Sequence, residues 1–117
     1  MPYQVLLDDL VQRLPGARAA LLLDVEGELV VESGARDLRH RLIGAYQGIA
    51  LAALRRILDR YEGGDPGLLV CRYARGTVIV RPLADGYYLV LALAPEASLA
   101  QGLRHSSEVS ERLRTEL

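Results

Sequence analysis

With 117 residues, half of them hydrophobic and a quarter charged, the chain suits one globular domain, residues 1–117, with one core. A formal net charge of -1 and an isoelectric point near 6.1 argue against nucleic acid as a partner, because phosphate-binding surfaces leave a basic imprint. Cys71 is the only cysteine, so no intrachain disulfide forms, and every basic residue is arginine, which removes Walker-type phosphate loops and lysine chemistry.

Tyr3, Leu7, Leu10, Val11 and Leu14 recur at helical spacing, and Pro15-Gly16 stops that first helix. Its acids and lack of a basic leader region set it apart from a secretory signal. Ala19–Leu23 and Leu29–Glu32 read as strands joined by Asp24-Val25-Glu26-Gly27, a hairpin signal. In that turn Asp24 is expected to accept hydrogen bonds from its own backbone, with Gly27 at positive φ. A long helix is expected over residues 36–62, ended by Gly63-Gly64. Strands follow at 68–73, 77–83 and 87–93, with tight turns at Arg75-Gly76 and Asp85-Gly86. A last helix is expected to open at Pro95-Glu96.

The order is α-β-β-α-β-β-β-α, an α+β class. The first and last strands are almost continuously apolar, which suits coverage on both faces and places them centrally. The hairpins then give a five-stranded antiparallel sheet of order 2-1-5-4-3 with helices on both faces. No uncharged run reaches the ~20 apolar residues a membrane span needs. The expected location is the cytoplasm, without membrane insertion.

The long helix carries 13 residues without a charge, Leu42 to Leu54, and its large residues cover more than half the circumference. A helix on one face of a sheet needs only a stripe of about 100°. The surplus calls for a second surface. Gly44, Gly48 and Ala52 form a small-residue ridge that either packs closely on the helix's own sheet or admits another backbone. The third strand, with Leu68, Val70 and Arg72, is an edge in the inferred order, and an open edge is an association hazard unless covered. Homodimerisation covers both, with Gly44, Gly48, Ala52, Leu68, Val70 and Arg72 as the expected interface. A related expectation sets Arg41 against Asp59 of the other copy.

Catalytic signatures are missing. His40, His105 and Cys71 are scattered, Asp24 has no companions of calcium-loop type, and no G-x-S-x-G elbow or G-x-G-x-x-G turn occurs. No catalytic residue, metal or cofactor is expected. Arginines cluster along the chain at Arg36, Arg39 and Arg41, at Arg55, Arg56 and Arg60, and at Arg72, Arg75 and Arg81.

The ordered motifs "LPGARAALLLDVEGELVVESG", the small-residue-rich long helix and "VIVRPLADGYYLVLALAPEASLAQGLR" resemble the Roadblock, or dynein light chain, family of bacterial gliding-motility type. The resemblance covers nearly the whole chain. It implies a Roadblock/profilin-like fold, homodimers with a sheet continuous across third strands, and a non-enzymatic platform for a small Ras-like GTPase. Some members of that family activate the GTPase by remodelling it, without donating an arginine; others are scaffolds. The expected GTPase-facing residues are Arg41, Gly48, Arg55, Arg56 and Asp59. The alternatives are a small-molecule-binding sensor domain, since sheets of this order also build such domains, or a pure scaffold within a larger assembly.

Overall fold

The computed structural model describes residues 2–35 and 38–117, with no side chain described at positions 38, 41 and 42. The elements run α1 (Pro2–Arg13), β1 (Ala17–Leu23), β2 (Leu29–Gly34), α2 (Leu38–Arg60), β3 (Leu69–Tyr73), β4 (Gly76–Pro82), β5 (Tyr88–Leu93) and α3 (Leu99–Glu116). A single 3-10 turn at Ala84–Gly86 precedes β5. All strand pairs are antiparallel, in the order β2-β1-β5-β4-β3.

The alternation of side chains along β1 and β5 feeds two cores. Ala20, Leu22, Leu89, Leu91 and Leu93 point to the α1/α3 side, where they meet Leu7, Leu10, Leu14, Val109 and Leu113. Ala19, Leu21, Leu23, Tyr88, Val90 and Ala92 point to the α2 side, where they meet Leu51 and Ile43. Two-sided coverage explains why these strands are apolar throughout.

The Asp24 hairpin forms as its residues dictate. The Asp24 carboxylate accepts from the backbone N–H groups of Glu26 (2.9 Å) and Glu28 (3.0 Å), and Gly27 sits at φ 82°. It is a turn device.

Strand ends shift by one or two residues from the sequence reading, and two helix ends are built differently. The last helix opens at Leu99, not at Pro95. Pro95-Glu96 belong to a turn closed by Ala97 N–H on the Ala94 carbonyl (3.1 Å), and Ser98 supplies the cap by accepting from Gln101 N–H (3.2 Å). A serine oxygen satisfies a free helix-end donor, which proline does not. At the end of α2 the left-handed residue is Glu62 (φ 54°), and Gly63 N–H closes back on the Leu58 carbonyl at 2.9 Å. This is the Schellman bond with a glutamate where glycine is usual.

Candidate interaction faces

α2 lies on the sheet through its smallest residues. A methyl group at Gly44 would meet both Leu23 δ carbons at 3.3 Å, and one at Gly48 would collide with the Tyr88 hydroxyl. Tyr88 donates that hydroxyl to the Gly44 carbonyl (3.2 Å), so the helix is pinned by one buried hydrogen bond. Burial, and then the nearby Asp24 carboxylate, push the Tyr88 phenol above its ordinary value of 10.0. Of the two readings open for the small-residue ridge, close packing on the helix's own sheet accounts for Gly44 and Gly48. Gly44 is buried, whereas Gly48 is half-buried and also borders a shallow surface depression. Ala52 is exposed and borders the same depression with Val25, Gly27 and Ile49.

The opposite side of α2 carries large apolar residues into solvent. Tyr46, Ile49 and Ile57 are 64%, 65% and 54% exposed, with the small Ala50 and Ala53 between them. Their spacing puts them on one stripe, about half a turn away from Gly44, Gly48 and Leu51. The sequence showed too much apolar surface; the structure shows that it is the outer side.

β3 is an edge strand. It pairs only with β4, and Leu68, Cys71, Arg72 and Tyr73 are exposed while Val70 is half-buried. Arg56 and Asp59 are exposed, whereas half-buried Arg55 borders a polar depression of about 420 Å³ with Asp65, Asp85 and Arg114. The side chain of Arg41 lies outside the described residues, as does Arg36, so the expected Arg41–Asp59 contact has no described geometry.

The fold also regroups the arginines. Arg81, assigned by chain proximity to a surface cluster, instead bridges to α3. Its Nε donates to Ser106 Oγ (2.9 Å) and its Nη2 to the Leu103 carbonyl (2.8 Å). Burial, followed by the positive field of Arg114, lowers its affinity for the proton. Arg18 from β1, Arg39 from α2 and Arg75 from the β3–β4 turn meet with His40, Ile43 and Tyr73 around a concavity of about 450 Å³. Arg18 Nη1 donates to the Arg75 carbonyl (2.6 Å), which fixes one wall. Sequence reasoning missed this group. The signal lay in the strand order, since both Ala17 and Thr77 pair with Leu93 and so bring Arg18 beside Arg75.

Among the described residues no three His, Cys, Asp or Glu side chains gather to hold a metal. Nor is any described helix long and apolar enough to cross a membrane. His105 lies 3.9 Å from Glu108 on the surface of α3.

The sequence profile decides the family. Residues 3–93 match the Roadblock/LC7 domain. The chain belongs to the Roadblock/LC7 family. Solved structures agree on the fold of this Roadblock/LC7 domain. A Roadblock/LC7 domain from Streptomyces avermitilis aligns at TM-score 0.87 with 22% identity, covering 97% of this chain and 95% of that one. Myxococcus xanthus MglB aligns at 0.87 with 15% identity, covering 98% and 94%. The gliding protein MglB of Thermus thermophilus aligns at 0.86 with 21% identity, covering 97% and 87%. No curated protein matches the sequence. At these identities the likeness establishes the fold, and the site must be argued from this chain's own residues.

Proposed function

We propose that this Roadblock/LC7 domain is a cytoplasmic homodimeric platform that binds and regulates a small Ras-like GTPase without contributing a catalytic group. The observation that carries the reading is the outward stripe of α2: Tyr46, Ile49 and Ile57 are large, apolar and unpartnered within the chain. Monomeric proteins rarely leave such a stripe in water, and interface cores are enriched in aromatic and aliphatic groups. Two copies that join β3 edges set their α2 helices side by side on one face of the continued sheet, which pairs the strand edge and covers the flank of each stripe. Ala52, Leu68, Val70 and Arg72 then belong to or border the contact.

Pairing two α2 helices leaves their charged flanks outward as a composite surface. Arg56 and Asp59 are the exposed charges on that flank, with Arg55 nearby and Arg41 toward the start of the helix. These four are the proposed GTPase-facing residues. Regulation on this reading works by holding the GTPase's mobile loops in one arrangement, which needs differential affinity for two states rather than a catalytic side chain.

The test has two parts. Light scattering should give twice the chain mass at micromolar concentration, and Ile57→Glu should shift it toward one chain. GTP turnover by a small GTPase of the same organism should then change on adding the wild-type protein. The double variant Arg56→Glu, Asp59→Arg should lose that effect and keep the dimer mass. A monomeric wild-type protein, or turnover unchanged by it across the organism's small GTPases, sinks the reading.

A further inference from the structure

The hydrogen-bond phase of the sheet determines how a second copy can join it. Leu83 N–H donates to the Tyr87 carbonyl (2.7 Å), so odd-numbered residues of β4 direct their backbone groups toward β5. The even-numbered residues Gly76, Val78 and Val80 therefore face β3, where they pair with Tyr73, Cys71 and Leu69. The two remaining residues of β3, Val70 and Arg72, direct their N–H and C=O groups to the open edge.

We infer that the β3 edges joined in the proposed homodimer take the register centred on Cys71, with the basic concavity of each copy receiving Asp65 of the other. The inference rests on the homodimer reading above and specifies its register and its charge contacts. In this register Val70 lies opposite Arg72 of the second copy and Leu69 opposite Tyr73. All five residues of the strand are paired. Both edge-directed residues then exchange hydrogen bonds with edge-directed residues. Centring on Val70 or on Arg72 keeps the phase but leaves one of them without a strand partner.

Charge complementarity supports the same arrangement. Glu62 and Asp65 precede β3 and are exposed; Asp65 borders the depression shared with Arg55 and Arg114 but makes no ion pair among the described residues. Arg75 follows β3, and with Arg18 and Arg39 it borders the concavity, where no described lining residue is acidic. A two-fold axis through Cys71 exchanges the two ends of the strand. It brings the acidic approach of each copy to the basic concavity of the other. Antiparallel α2 helices follow from the same axis, with the start of each, Arg39 and His40, beside the end of its counterpart. The dipoles of two helices so arranged oppose one another favourably.

The axis makes Cys71 a built-in reporter. Cys71 directs its backbone groups to β4, so the self-pair is of the non-hydrogen-bonded kind, with Cα atoms about 4.5 Å apart. That distance lies within disulfide range. The assay treats the intact protein with diamide, whose azo bond takes two electrons and two protons from two thiols and becomes a hydrazine as the disulfide forms. Wild type should run as a covalent dimer on non-reducing gels. In a Cys71→Ser background, Val70→Cys and Arg72→Cys should each fail to cross-link alone and should cross-link when mixed. Asp65→Arg and Arg75→Asp should each weaken dimerisation about ten-fold, and the double variant should recover most of it.

A dimer mass without Cys71 cross-linking, or with efficient self-cross-linking of Val70→Cys or Arg72→Cys, overturns the register and leaves the homodimer standing. Lack of recovery in the charge-swap double overturns the Asp65 contact. A monomer mass overturns the homodimer and the register together.

Discussion

The two faces of the sheet are covered by different means. On one face α1 and α3 insert long side chains, with Leu7, Leu10, Leu14 and Leu113 fully buried among the leucines of β1 and β5. On the other face α2 approaches through Gly44 and Gly48 and contributes one fully buried large side chain, Leu51, among its described residues. Its larger groups point away. The α1/α3 face is finished within the chain, whereas α2 spends its apolar surface outward. On the dimer reading proposed above, that outward stripe belongs to an interface as well as to the fold.

The contrast can be broken most severely at Leu7. Leu7→Ala empties a fully buried site and should cost about 2–5 kcal/mol, a large share of the about 5–15 kcal/mol available to a domain. Ile57→Ala on the outer stripe should change the unfolding free energy of the separated chain by less than about 0.5 kcal/mol. Denaturant titrations at concentrations below dimer dissociation compare the two directly. Equal losses would erase the distinction between the faces.

A second test sharpens the account of α2. Gly48→Ala gains about 1 kcal/mol of helix propensity on an exposed helix. Here the new methyl would collide with the Tyr88 hydroxyl, so a net loss of about 1–2 kcal/mol is expected. Adding Tyr88→Phe should return part of it, as a double-mutant cycle would reveal. A stabilised Gly48→Ala protein would mean that α2 does not rest on that hydroxyl.

The smallest effect is confined to alkaline solution. The folded protein holds the Tyr88 proton more tightly than the unfolded chain, so this group's contribution is complete below pH 10. Above pH 10 the unfolded chain ionises first, and stability falls as pH rises toward the folded value. Tyr88→Phe should be less stable at neutral pH and should flatten that alkaline decline. Unfolding curves from about pH 8 to about pH 11 measure both.

The layout of the sheet was readable in advance because burial leaves a direct mark on composition. Ala19–Leu23 and Tyr87–Leu93 lack the polar alternation of a one-sided strand, so their central place followed, and the turns fixed their neighbours. The surplus of apolar residues in α2 was equally plain. Its direction was not, because a helical wheel counts residues without knowing that Tyr88 reaches up from β5 and demands glycine beneath the helix. Nor did the chain announce the grouping of Arg18 with Arg39 and Arg75. Those residues lie far apart in sequence and meet only after β1, β5 and β4 align. Glu62 shows the opposite failure: the adjacent glycines advertised the end of α2, and the chain turned one residue earlier on a glutamate.

The glycine contact of α2 has a thermodynamic consequence for partial unfolding. Lifting this helix would uncover Leu21, Leu23, Tyr88 and Val90 on its side of the sheet and, among the described residues, would break the hydrogen bond from Tyr88 to Gly44. Opening of the helix is therefore coupled to exposure of one of the two cores, and its cost approaches that of unfolding the domain. On the dimer reading proposed above, a second copy over the outer stripe adds burial on the far side, and amide exchange along α2 should slow as protein concentration rises.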